Sequence, residues 1–396
     1  MNTVMELLDK QVFSVSPPCA AMLALSCSLL FSLSSPLSAL EATLEEGMDS
    51  NPFKLSDPTD LSRYTRLAIE HKGKHDLANK RSLRYSAAWR SKWYEADASD
   101  ADKHQLDGRL RWINRFKIGG RSANLLITGD VRMDRRTYYS QIQRGVASTS
   151  GGDSLAERFD YNSARVAAEF IYRFEGGRSL AVYAYSSQRD YVEDYDGLGL
   201  ESLDYTENGV QPTFRYKSGG LYLRAFVYSR ERCYDELLND DLLGVNIEQS
   251  PVSYHFNGYG VLLKKSLSEK MSFKAYLSGY HARDDAEGYR DLNYQKLDLL
   301  MTYTLSGQRM LEVGGHCSSR DYLIDSARPP ESETGNAGRL RETCGIRVSY
   351  EGPLTQVEGR PLNWRLRMSH EFEDNSDNYL SYTRSMVSLG LNYSFD

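Results

Sequence analysis

The residues best equipped for chemistry in this chain are cations, and their spacing is regular. Arg84 and Arg90, Arg109 and Arg111, Arg224 and Arg230, and Arg365 and Arg367 are separated by even steps. Arg132, Arg165, Arg173, Lys274 and Arg347 each stand between apolar neighbours, and Arg384 follows the same alternation near the C-terminus. A guanidinium is permanently charged, and its planar fork fits a carboxylate or a phosphate. Gathered on one surface, such groups attract anions. Carboxylates share these faces, among them Glu70, Asp130, Asp134, Glu169, Asp298, Glu312, Glu351 and Glu371. The cations outnumber them, yet the chain as a whole carries a formal charge of -6. The missing negative charge lies in connecting segments such as Asp194–Asp204, Asp235–Asp241 and Asp284–Glu287. Two readings stay open: an anion path, or arginine–carboxylate ladders that only brace a wall.

Other chemistries find less support. The seven histidines are scattered, and His281 near Asp284 and Asp285 is the nearest approach to a catalytic cluster. There is no glycine-rich phosphate loop and no nucleophile elbow, so an enzyme is not expected. The spacing of cysteines suits no zinc site, and no cofactor is expected. Cys317 and Cys344 flank Pro329–Pro330 almost symmetrically. In a simple hairpin they would stand opposite each other, either as a disulfide or as two free thiols facing lipid. Basic residues are spread rather than gathered with aromatics into one patch, which argues against nucleic acid as a partner.

The elements that must position these cations are β-strands. A period of two places successive side chains on opposite faces. Leu83, Tyr85, Ala87 and Trp89 alternate with Arg84, Ser86, Ala88 and Arg90; Val166, Ala168 and Phe170 alternate with Arg165 and Glu169; Trp364, Leu366 and Met368 alternate with Arg365, Arg367 and Ser369. Leu180–Val192 and Val252–Lys265 read as strands whose faces are not assigned. Short connections at Ile118–Arg121, Glu175–Arg178, Ser218–Gly220, Leu267–Lys270 and Ser306–Gln308 alternate with longer ones at Ser140–Glu157, Asp194–Ser202, Glu236–Gln249 and Ile324–Gly338. Gly352–Pro361 is a further turn. Short turns at one end and long loops at the other are the signature of a transmembrane barrel. The expected fold is all-β: a single antiparallel transmembrane β-barrel of roughly sixteen strands, with 28 tyrosines available for interfacial girdles.

The apolar run Ala20–Leu33, followed by the small residues of Ser34–Ala39, predicts a signal peptide over 1–39 and a barrel over 40–396. Cys27 offers a lipoprotein cysteine as the alternative use of this leader. Beyond it no apolar run approaches the roughly 18 residues of a spanning helix.

The last strand carries a resemblance. Ser388, Gly390, Tyr393 and Phe395 fill the polar–glycine–aromatic–aromatic pattern that closes Gram-negative outer-membrane β-barrels, although Asp396 follows the final aromatic. This resemblance implies an outer-membrane location, contact with lipid and lipopolysaccharide, and insertion by the barrel-assembly machinery. Gly47–Asn51 is similar to the opening Gly-aromatic-Asp-Ser-Asn segment of export and surface-assembly barrels, with Met48 in the aromatic position. The expected function is an arginine-lined channel that passes or exports anionic solutes or acidic polysaccharide. The alternative is a barrel that assembles or translocates a surface lipoprotein, or a structural outer-membrane protein.

Overall fold

The computed structural model describes residues 38–395 apart from 56–60, 138, 141–144, 147, 149–153, 193–201, 241–245, 287, 289, 324–339 and 377–380. The expected leader therefore lies almost wholly outside the described residues, which begin with strand at Ser38. The strands are β1 (Ser38–Asp49), β2 (Ser62–Leu77), β3 (Arg81–Tyr94), β4 (Lys103–Ile118), β5 (Arg121–Arg136), the two-residue β6 (Tyr139–Ser140) and β7 (Gly145–Val146), β8 (Tyr161–Arg173) and β9 (Arg178–Tyr191). They continue as β10 (Tyr205–Ser218), β11 (Leu221–Asp240), β12 (Asn246–Ser266), β13 (Met271–Asp284), β14 (Leu292–Thr304), β15 (Met310–Tyr322), β16 (Leu340–Val357), β17 (Arg360–Asn375) and β18 (Tyr382–Ser394).

All but β6 and β7 join one closed antiparallel barrel of sixteen strands. Neighbours in sequence are neighbours in the wall, β5 pairs with β8, and β1 closes on β18 from Glu41 opposite Ser394 to Asp49 opposite Met386. Closure matters physically because no strand edge is left to face hydrocarbon with unpaired amides. Every strand of the wall has at least 12 residues, longer than the roughly 9–11 a tilted strand needs to cross a bilayer.

The tight turns all lie at one end of the barrel, together with the start of β1 and the end of β18. Gly119 and Gly120, with φ of 55° and 79°, form the β4–β5 turn, where two successive left-handed residues match the twist of the strands they join. The opposite end carries the longer connections. Two expectations shift here. The loop expected at Glu236–Gln249 is shorter, because β11 runs on to Asp240 and β12 starts at Asn246. Register shifts after Cys233 and Leu238 break the period of two and hid this continuation. The turn expected at Gly352–Pro361 contracts to Glu358 and Gly359; a register shift between Pro353 and Thr355 absorbs the proline within β16.

Large apolar side chains are exposed on one face of each strand, with Ile346 63%, Val227 57% and Leu389 57% exposed. These are the residues that alternate with the charged ones, so the outside of the barrel is suited to lipid and the charged face is turned inward. The two unassigned segments fall into place: Tyr185 and Arg189 of β9, and Tyr254 and Phe256 of β12, share the inner face.

Candidate functional site: the lumen wall

The cations expected to line the anion path lie on the strand face opposite the exposed apolar side chains. They divide by what holds them. Arg90, Arg109, Arg132, Arg230, Arg365, Arg367 and Arg384 each pair with a carboxylate. Arg84, Arg111, Arg165, Arg173, Arg224, Lys274 and Arg347 have no carboxylate within 4.0 Å among the described residues.

Most cations of the wall from β16 through β18 and β1 to β3 are held in ion pairs, with Arg84 and Arg347 as exceptions among the described residues. Asp49, fully buried, accepts both forks of Arg384, with Nε to Oδ1 at 2.9 Å and Nη2 to Oδ2 at 2.5 Å. The Tyr94 hydroxyl donates to the same carboxylate at 2.7 Å, and Lys92 Nζ approaches at 3.3 Å while lying 3.8 Å above the Tyr64 ring. Asn51 is also fully buried. Its amide donates to the carbonyls of Leu55 and Thr383 at 2.7 and 3.0 Å, which folds the first connection onto β18. Lys54 then donates to the Tyr382 hydroxyl at 2.8 Å and sits 3.3 Å from Glu371. One level nearer the turns, Glu45 lies between Arg66 and Arg367, each at 3.5 Å, and accepts the Ser388 hydroxyl. Tyr64 reaches the same carboxylate over Gly47, where an added Cβ would fall 2.6 Å from the ring. Ion pairs of this kind hold strands together, and removing one partner strands a buried charge.

On β3 to β5, Asp107 bridges Arg90 and Arg132, the latter at 2.7 Å, and Asp130 takes Arg109 at 2.5 Å. These groups line a cavity of about 440 Å³ that continues to Arg165, Arg189 and Glu207.

The wall from β8 to β15 is built differently. Here aromatic faces hold the guanidiniums. Arg189 lies between the rings of Tyr161 and Tyr205, at 4.0 and 5.1 Å. Arg232 lies over Tyr205 at 4.3 Å, Arg230 over Phe256 at 4.2 Å, Arg165 over Tyr185 at 4.9 Å and Arg320 over Tyr294 at 5.8 Å. Tyr280 and Tyr294 stack at 4.9 Å, which extends the belt across β13 and β14. Glu207 is shared by Arg230 at 3.5 Å and Arg232 at 2.7 Å, so one carboxylate serves two cations. An aromatic face orients a cation through its quadrupole but carries no net charge. Arg165, Arg189 and Arg320 are therefore fixed without a carboxylate partner among the described residues, while Arg230 and Arg232 share one. The Nε of Arg189, Arg215, Arg224, Arg230 and Arg320 is buried without a hydrogen-bond partner among the described residues, and each belongs to this wall.

Arg189, Arg232 and Arg320 were not singled out from sequence. Arg189 fell in a strand of unassigned face, and the other two lie near the polar outer ends of β11 and β15. A tyrosine on the neighbouring strand was the available signal: Tyr205 stands opposite Arg189 and Tyr294 opposite Arg320.

Cys317 and Cys344 are directly opposite in register on the outward face, with Cα atoms 4.1 Å apart, and are joined by a disulfide. His281 faces outward, its Nδ1 2.7 Å from Asn293 Oδ1, with no nucleophile beside it among the described residues. Ser388 and Gly390 of the closing strand face inward; Tyr393 and Phe395 face outward and meet edge to face at 4.6 Å.

No protein-family model and no curated protein sequence matches the chain. Among solved structures, it is similar to the outer membrane protein OpdK of Pseudomonas aeruginosa, at 9% identity over 90% of this chain and 99% of that one, with a TM-score of 0.46. It is also similar to OccK2 (OpdF) of the same organism in complex with glucuronate, at 11% identity over 91% and 98% with a TM-score of 0.44. The anion-selective porin of Comamonas acidovorans is similar at 11% identity over 90% and 99%, with a TM-score of 0.41. At these identities and scores nothing about selectivity or cargo transfers to this chain.

Proposed function

We propose that this protein is a channel of the Gram-negative outer membrane that passes anionic solutes, acidic polysaccharide among them. The observation that carries the reading is the set of lumen cations without carboxylate partners. They run the length of the barrel: Arg84, Arg111, Arg173, Arg224 and Lys274 toward the turns, Arg165 and Arg347 at mid-height, and Arg189 and Arg320 toward the loops. Bracing ladders account for the ion-paired part of the wall, while cations held by rings or without a carboxylate partner among the described residues are the ones suited to attract anions. The outward apolar girdle supports a position in lipid. The closing strand, with Ser388, Gly390, Tyr393 and Phe395, would be what the barrel-assembly machinery reads before closure.

Lipoprotein assembly draws less support. The Asp49–Ser50–Asn51 segment behind that similarity spends its polar atoms within the wall, on Arg384, Lys92, Leu55, Thr383 and Ser385.

Conductance in a planar bilayer under a potassium chloride gradient tests the channel reading. The expected result is an open pore whose reversal potential indicates anion preference, reduced in an Arg165→Gln/Arg189→Gln variant. Cation preference, or a correctly folded barrel that does not conduct, would overturn it.

A further inference from the structure

The two mouths of the barrel differ in charge. At the turn side, Arg84, Lys117, Arg173, Lys217, Lys264 and Lys274 are exposed on the inner face, and none has a carboxylate within 4.0 Å among the described residues. Of the acids at the same level, Asp76 pairs with Lys74, Glu169 with Arg215 and Glu351 with Arg365, while Glu312 accepts from Thr302 and Ser349, and Glu175, Glu269 and Glu358 are exposed in the turns outside the inner face. On the loop side the exposed charges are mixed, with Asp100, Glu157, Asp235 and Glu236 beside Arg63, Lys103, Arg136 and Arg283.

A second observation points to an anionic ligand. Arg84 stands directly opposite Arg111, and Lys264 directly opposite Lys274. Like charges in cross-strand register destabilise a sheet. Elsewhere in the lumen such runs carry their own acids: Arg66, Lys92 and Lys103 are opposed in sequence, and Glu45, Asp49 and Asp134 pair with them. No acid among the described residues lies within 4.0 Å of either turn-side pair, although Lys74, opposite Arg84 in register on the other side, holds Asp76.

We propose that the turn-side mouth is a capture collar for a linear polycarboxylate, and that the pore loads from this side. The inference rests on the channel reading and adds its entry side and the form of its cargo. A flexible chain is favoured over a folded acidic protein because the cations face into the lumen and not across the rim. Neighbouring strands are about 4.8 Å apart, so cations on successive strands can meet successive acid groups along one chain. Multivalent contact then makes a polymer bind far more tightly than its monomer.

The test uses the full chain in a planar bilayer. Oligogalacturonate, poly-L-glutamate, monomeric galacturonate and the folded acidic protein α-lactalbumin are titrated from each side. Orientation is read with an impermeant thiol reagent on Ser268→Cys, placed in the β12–β13 turn of a Cys233→Ser background. Either polymer is expected to block from the turn side at roughly tenfold lower concentration than from the loop side, and at roughly hundredfold lower carboxylate concentration than the monomer. The two polymers distinguish a uronide from a polypeptide source of the same chemistry. Arg84→Gln, Lys264→Gln and Lys274→Gln together are expected to remove the side difference, while Lys264→Arg with Lys274→Arg retains it. Equal block from both sides, a monomer as potent as the polymer, or α-lactalbumin as potent as either polymer would overturn the collar. A folded barrel with no conductance would instead overturn the channel reading itself.

Discussion

The two walls of the lumen use the same residue, arginine, to different ends. Around the junction of β1 and β18, guanidiniums meet carboxylates: Arg384 with Asp49, Arg367 with Glu45, Arg365 with Glu351 and Arg341 with Glu373. From β8 to β15 several meet rings instead, as Arg189 does between Tyr161 and Tyr205, while Arg215, Arg230 and Arg232 keep a carboxylate as well. A carboxylate fixes a guanidinium and cancels its charge; a ring fixes it and leaves the charge standing. On the proposed channel reading, the neighbour on the next strand is what would separate structural from conducting arginines.

The largest effect is expected at Asp49→Ala. It leaves Arg384 and Lys92 without their shared acid and should destabilise the barrel by about 3–5 kcal/mol, seen as a lower temperature for loss of the folded band in heat-modifiability gels. Cys317→Ser, at the border between the two walls, should cost about 2–4 kcal/mol in the same assay, with anion preference unchanged. Selectivity should divide the walls in the opposite sense. Arg189→Gln is expected to lower the anion-to-cation permeability ratio roughly twofold, whereas Arg384→Gln should leave that ratio unchanged in whatever fraction folds. Equal shifts from these two variants would erase the distinction between the walls. Glu207→Gln should raise anion preference, since Arg230 and Arg232 would lose the acid they share.

The smallest effect is a local one outside the bilayer. Asp160, in the β5–β8 connection, is buried, and burial pushes its carboxyl up to about 6 even though it accepts the Arg136 amide at 2.6 Å. The folded state therefore binds this proton more tightly than the unfolded one. The stability it lends is complete below the ordinary value of 3.8 and is lost as pH rises toward about 6. Local opening of this connection should increase about tenfold per pH unit across that window and level off above it. Amide exchange at Arg136, corrected for its intrinsic rate, measures this; a flat profile would mean the group is hydrated.

Much of the fold was legible because a strand's two faces are written in its own residues. Arg109 and Arg111 could be placed inside from Leu110 and Trp112 alone, and the tight turns announced themselves at Gly119–Gly120. What could not be read was which acid or ring each cation meets. That depends on register between strands, and no single strand encodes it. Hence Arg384 and Arg165 looked alike in sequence, yet one is held by Asp49 and the other by Tyr185. Where the period of two broke, as after Cys233 and at Pro353, the strands continued unseen because a register shift moves each later side chain to the other face.

The pairing of β1 with β18 has a consequence for the order of events during biogenesis. Arg384 meets Asp49 across 335 residues of chain. The first strand must therefore keep its open edge protected while the remainder is laid down, since an unpaired edge invites association with other chains. Contacts this distant in sequence form late and slowly. A nascent chain that loses its final segment would hold an almost complete wall with no way to seal it.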